Sequence, residues 1–135
     1  MEITDFESVV ALWKSSPGIG LSSADKKESI KSFLEKNRNT CFVANYGEEM
    51  IGTVLCGNDG RRGYMYHLAV KESFKNRGVG KELVNLCLES LEKEGIEKCH
   101  IFVYTTNENA IHFYEKTKWK VRNDITIFSK DTKSS

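Results

Sequence analysis

Residue types and spacing that could do chemistry concentrate in one stretch. His67-Leu68-Ala69-Val70, a β-prone run, leads through a charged loop, residues 71–76, into Arg77-Gly78-Val79-Gly80-Lys81. The first turn of a helix leaves backbone N–H groups unpaired, and these, with the helix dipole, favour an anion. Glycines at that point let a phosphate approach the main chain with no Cβ in the way. Lys75, Arg77 and Lys81 place positive charge at the end of a helix where cations disfavour the dipole, an arrangement that makes sense if an anion arrives. A tight strand-to-helix turn that merely needs flexible residues is the competing reading.

Two better-known phosphate loops can be tested against the letters. A Walker loop needs Gly-x-x-x-x-Gly-Lys-Ser/Thr, but the first position here is Lys75 and the last is Glu82. A dinucleotide fingerprint needs a third glycine three residues after Gly80, where Leu83 stands. Metal chemistry finds no support in spacing. His67, His100 and His112 have no ligand spacing with one another or with Cys41, Cys56, Cys87 and Cys99, and no metal site is expected. The cysteines lack a CxxC pair and sit in apolar periodic segments, so they read as reduced, buried thiols.

The elements that would carry the loop follow from period and punctuation. Thr4-Asp5-Phe6-Glu7 has the form of a capping box, and Phe6, Val9, Val10 and Trp13 recur at helical spacing up to about Ser16, before Pro17-Gly18. A loop at residues 18–23 should precede a second helix, capped by Ser22 or Ser23, with Ile30, Phe33 and Leu34 facing inward. The period then changes. Residues 41–44, 50–56 and 63–70 read as three strands of an antiparallel meander, with Gly57-Asn58-Asp59-Gly60 as turn chemistry. Residues 78–94 return to helix, with Leu83, Val84, Cys87, Leu88 and Leu91 on one stripe and Gly95 as C-cap. A strand at 100–104, a short helix at 107–116 and one or two closing strands within 121–128 complete the expectation, with a polar tail at 129–135.

With its preceding Leu68-Ala69-Val70, the segment Lys75-Asn76-Arg77-Gly78-Val79-Gly80 resembles the Arg/Gln-x-x-Gly-x-Gly/Ala signature of the GNAT superfamily of acetyl-CoA-dependent N-acetyltransferases. Asn107-Glu108-Asn109-Ala110, followed by Phe113-Tyr114-Glu115-Lys116, resembles that family's Asn-x-x-Ala and Tyr-Glu-Lys segment. Two motifs in order, separated by a helix and a strand, are more specific than either alone. The resemblance spans roughly residues 5–128. Three features depart from it. Lys75 replaces the usual Arg or Gln while keeping charge, and Lys118-Trp119 stands where Gly-Phe is common. Only residues 1–3 precede the first helix, so the family's first strand is expected to be vestigial here or to begin upstream.

The resemblance implies an α/β fold: a mixed, mostly antiparallel sheet with a V-shaped split and helices on both faces. It implies that backbone groups of Leu68, Ala69 and Val70 bind the pantetheine arm of acetyl-CoA like an added strand. Lys75, Asn76, Arg77, Gly78, Val79, Gly80 and Lys81 would hold the pyrophosphate, and Asn107 would contact the pantetheine. Tyr114 would protonate the departing thiolate. A tyrosine hydroxyl is a weaker acid than a thiol, so orientation and hydrogen bonding must assist that transfer. His67 is a candidate base because it titrates near neutral pH beside the expected reaction centre. A packed strand histidine with a water chain as base, or Glu72 in the charged loop, are the other readings.

The 135 residues fit a single domain, with a core at about 5–128. With 20 Lys and Arg against 19 Asp and Glu, the net charge of +1 gives no field to gather nucleic acid. No apolar run approaches the ~20 residues of a membrane span, and a cytoplasmic protein is expected. The expected acceptor is a primary amine of a small molecule or a protein, and an unprotected sheet edge would admit a homodimer. The alternative is a non-catalytic acyl-CoA-binding or sensor module.

Overall fold

A computed structural model describes residues 1–133 as two compact units, the first Met1–Tyr104 and the second beginning at Thr105. The first unit holds α1 (Phe6–Lys14), α2 (Lys27–Lys36), β1 (Phe42–Tyr46), β2 (Glu49–Asn58), β3 (Gly63–Val70), α3 (Val79–Lys93) and β4 (Cys99–Ile101). The four strands form one sheet in the order β1-β2-β3-β4. β1, β2 and β3 pair antiparallel as the meander, and β4 joins β3 in parallel. A parallel neighbour needs a long crossover, which α3 supplies.

Helices cover both faces because β2 alternates. Thr53 receives a hydrogen bond from the α1 residue Trp13, through its indole Nε1–H at 3.0 Å. Gly52, one residue earlier, faces α3: a Cβ there would come within 3.0 Å of Leu83 Cδ1 and 3.1 Å of Val79 Cγ1. Successive residues of a strand point to opposite faces, so α1 and α3 lie on different sides of the sheet. Val9, Leu12 and Trp13 make the buried stripe of α1, and Ile30 and Leu34 that of α2; both pack with Cys41, Leu55 and Ala69. Leu83, Val84, Cys87 and Leu91 are the buried stripe of α3. Gly95, at φ +81°, ends this helix, with the Ile96 N–H bonded back to the Leu91 carbonyl at 3.0 Å.

The split is a matter of register. β3 and β4 pair only from Gly63↔Cys99 to Met65↔Ile101, while β3 runs on to Val70. Beyond Met65 the edge of β3 turned away from β2 therefore has no strand partner among the described residues. β3 also carries a bulge: Thr53 faces Ala69 and Leu55 faces Tyr66, so Val54 stands opposite both His67 and Leu68.

The second unit contains α4 (Glu108–Lys116). Three expectations need correction. The capping box at Thr4 and Glu7 does not form; a 3₁₀ turn at Ile3–Asp5 begins the fold, and the Glu2 N–H donates to the Asp5 carboxylate at 2.8 Å. The shorter side chain closes the tighter turn first. The strand expected at 100–104 is Cys99–Ile101, and Phe102 and Tyr104 are exposed. Residues 121–128 form no strand, and Val121, Ile125, Ile127 and Phe128 are exposed. Their alternating, β-branched pattern describes a surface that suits a sheet, and a strand exists only where a neighbour accepts its hydrogen bonds. Among the described residues, no helix is long and apolar enough to cross a membrane.

Candidate active site

The loop after β3 is built for a sharp approach to α3. The Lys71 N–H bonds to the Ile51 carbonyl at 2.8 Å, and a 3₁₀ turn, Glu72–Phe74, follows. Phe74 lies against Tyr46 with ring centroids 5.5 Å apart, and the Arg77 guanidinium sits over Phe74 at 5.4 Å. Asn76 (φ +63°) and Gly78 (φ +85°) are both left-handed, and Gly78 is the N-cap of α3. The helix starts with the Glu82 N–H bonded to the Gly78 carbonyl at 3.0 Å, which leaves the N–H groups of Val79, Gly80 and Lys81 without intrahelical acceptors. A Cβ at Gly78 would meet nothing within 4 Å, so the space before this helix end is open.

Lys75, Asn76, Arg77 and Lys81 are exposed around that space. Lys75 pairs with Glu72 at 2.9 Å, a solvent-exposed contact. This assembly suits a dianionic group: N–H donors, dipole and cations converge at one helix end. Leu68, Ala69 and Val70 lie at the upper end of β3, where its outer edge has parted from β4. Their backbone groups on that side can pair with a linear, amide-bearing ligand as with an added strand.

His67 occupies the bulge with φ +50°, a region uncommon for residues other than glycine. Its ring packs against Trp13 with centroids 4.7 Å apart, and Nε2 lies 2.8 Å from Asp25 Oδ1. Below it, Trp13 Nε1–H donates to Thr53 Oγ1 at 3.0 Å, and the Thr53 hydroxyl donates to the His67 carbonyl at 3.4 Å.

In the second unit, Asn107 caps α4, its Oδ1 accepting from the Ala110 N–H at 3.2 Å. Tyr114 is 7% exposed, with Phe113 and Trp119 edge-on at 5.0 and 5.4 Å.

The Acetyltransferase (GNAT) family profile matches residues 6–119. This chain belongs to that family. An acetyltransferase of Pectobacterium atrosepticum is 31% identical over 123 residues, covering 91% of this chain and 86% of that protein. Among solved structures, Ard1 from Thermoplasma volcanium matches with a TM-score of 0.79 at 20% identity, over 90% of this chain and 80% of that one. The PaiA N-acetyltransferase from Thermoplasma acidophilum, in complex with coenzyme A, matches at 0.77 and 19% identity, over 90% and 87%. The mixed, mostly antiparallel sheet, its split and its two helical layers are those of the GNAT fold.

One departure from the GNAT pattern is resolved by geometry. Lys118 replaces the common glycine yet keeps a glycine-like φ of +77°, and the N–H groups of Lys118 and Trp119 bond to the carbonyls of Glu115 and Tyr114 at 3.2 and 2.9 Å. This is a Schellman end with a lysine at the left-handed position. Because an L side chain costs about 1 kcal/mol there, Lys118→Gly is expected to stabilise the fold by roughly 0.5–1 kcal/mol, read as a rise in the urea midpoint. An unchanged or lower midpoint would contradict it.

Three cysteines of this GNAT chain, Cys41, Cys56 and Cys99, are held as protonated, poorly nucleophilic thiols. Burial pushes the Cys41 thiol up, a hydrogen bond with Cys87 raises Cys56, and one with Cys56 raises Cys99. Thiolates are therefore scarce at neutral pH. Intact-mass spectra after mixing with acetyl-CoA are expected to show no kinetically competent acetyl adduct on Cys41, Cys56, Cys87 or Cys99; such an adduct would overturn direct transfer. Among the described residues, no cluster of His, Cys, Asp and Glu is arranged to hold a metal ion. Asp25 and Thr53 escaped sequence reasoning because 42 and 14 positions separate them from His67. The one local signal at Asp25 was its place three residues after Ser22, which reads as a cap.

Proposed function

We propose that this acetyltransferase moves the acetyl group of acetyl-CoA directly to a primary amine of a small molecule or a protein. The observation that carries this reading is the adjacency along β3 of an unpaired strand edge and a glycine-opened helix end. Together they suit a ligand with a linear diamide arm and a pyrophosphate.

In this reading the first-turn N–H groups of α3, with Lys75, Arg77 and Lys81, hold the pyrophosphate. Leu68, Ala69 and Val70 pair with the arm, and one of their N–H groups polarises the thioester carbonyl as charge develops on its oxygen. Asn107 contacts the arm through its amide NH2, since its Oδ1 already caps α4. The neutral acceptor's nitrogen lone pair attacks the carbonyl carbon, and His67 takes the proton that this nitrogen sheds as the C–N bond forms. The C–S bond breaks, its electron pair leaves on sulfur, and Tyr114 donates the proton that completes the thiol and regains one from solvent. The sum is R–NH2 + CH3CO–S–CoA → R–NH–COCH3 + HS–CoA.

The test is acetyl-CoA turnover against a library of amines and peptides, with product identification by mass. An N-acetylated amine supports the reading. Binding of acetyl-CoA without transfer across the whole panel would leave an acyl-CoA-binding module.

A further inference from the structure

We propose that Asp25 is a positioning residue that holds the proton of His67 on Nε2, so that Nδ1 presents the lone pair which accepts the amine proton. This rests on the assignment of His67 as base. The geometry that points to it is the use of both Asp25 oxygens. Oδ2 accepts the Ser22 N–H at 2.9 Å, which closes the turn before α2, and Oδ1 faces His67 Nε2 at 2.8 Å. A carboxylate only accepts, so Nε2 carries hydrogen. The side chains of His67 and Asp25 are 17% and 10% exposed, so little water competes for the contact.

The opposite ring nitrogen is open. Among the described residues Nδ1 has no hydrogen-bond partner, and no fully buried side-chain nitrogen or oxygen lacks one, so Nδ1 retains solvent contact. The ring cannot easily turn away from this pose. Trp13 packs on it from α1, and Thr53 on β2 bonds to the His67 carbonyl, holding the bulge at its left-handed φ. Strained backbone of this kind persists only where its surroundings enforce it. Asp25 is the one ion-pair partner of the ring among the described residues. Lys26, next to Asp25 in the chain, is exposed, and Lys27, the first residue of α2, is turned to Glu7 at 3.2 Å.

With the amine bound, its proton passes to Nδ1 and gives an imidazolium whose charge the Asp25 carboxylate stabilises. The proton on Nε2 never moves. Loss of the Nδ1 proton to solvent restores the neutral ring after each turnover.

Asp25→Asn tests this without changing shape. The Ser22 N–H still requires an oxygen, which turns the new NH2 group toward Nε2. Nε2 must then accept, and the ring proton moves to Nδ1, where it blocks the base. Nitrogen-15 correlation spectra of the His67 ring should show Nε2–H in the native protein and Nδ1–H in Asp25→Asn. At pH 7, kcat/KM should fall on the order of 10- to 100-fold, within or below the usual contribution of a positioned base. Acetyl-CoA affinity should stay within about twofold.

An Nδ1–H tautomer in the native protein would overturn the proposal outright, and that measurement needs no variant to fold. So would an unmoved tautomer in Asp25→Asn, or a native kcat/KM in that variant. His67→Gln turning over at the native rate would instead overturn the base assignment, and Asp25 would then position a residue outside the chemistry.

Discussion

Gly80→Val should fold and yet bind acetyl-CoA at least about 100-fold more weakly, a loss of roughly 2.7 kcal/mol. Gly80 is the second residue of α3, and its backbone is not left-handed. Valine has a higher helix propensity than glycine, so the exchange costs this 15-residue helix nothing on that account, and packing of the buried stripe dominates its stability. The Cβ and its two methyls would, however, occupy the position from which a phosphate oxygen must reach the N–H groups of Val79, Gly80 and Lys81. Removing that approach forfeits several charge-assisted hydrogen bonds at once. Titration calorimetry, with circular dichroism on the same sample, separates binding from folding. Native affinity in a folded Gly80→Val protein would refute the pyrophosphate site. Gly78→Val is the less informative variant, since φ +85° would add backbone strain to any effect on the ligand.

Tyr114→Phe should lower kcat on the order of 10- to 1,000-fold while leaving acetyl-CoA affinity within about fivefold. The hydroxyl is proposed to matter as the thiolate departs, and an interaction that strengthens only in the transition state is lost from kcat rather than from ground-state binding. The ring itself is buried between Phe113 and Trp119, and the variant keeps it. The thermal midpoint should therefore shift by only a few degrees, as for ~1 kcal/mol or less. Single-turnover kinetics with the best acceptor decides the matter. A native rate would return Tyr114 to packing and assign protonation to solvent.

Much of the fold could be read from the chain because local pattern and tertiary context agree there. β3 falls on the expected residues 63–70, and α3 differs from its expected span by a residue at each end. There an apolar stripe, a glycine N-cap and Gly95 all give the same answer. The turn into α3 was legible for a related reason: a left-handed N-cap leaves its mark as a glycine. Side-chain constellations leave no such mark. Asp25 reaches His67 only because the turn before α2 folds across the bulge of β3, and the bulge itself is a matter of register, invisible in composition. The same limit explains residues 121–128, whose pattern suits a strand that has no partner to pair with.

Among the described residues, three other than glycine hold left-handed backbone: His67, Asn76 and Lys118. Each is a point where comfort of the main chain and identity of the side chain are decided separately, so selection for heat resistance and selection for turnover need not agree. Lys118 is solvent-exposed, and drift there to glycine would relieve the backbone at no chemical loss. Glycine at position 67 would relieve it equally, but it would erase the imidazole and leave Asp25 with one idle oxygen. With His67 as the proposed base, a population screened for thermal endurance alone would be free to discard the histidine, whereas one screened for product would keep it and carry the conformational penalty through its descent.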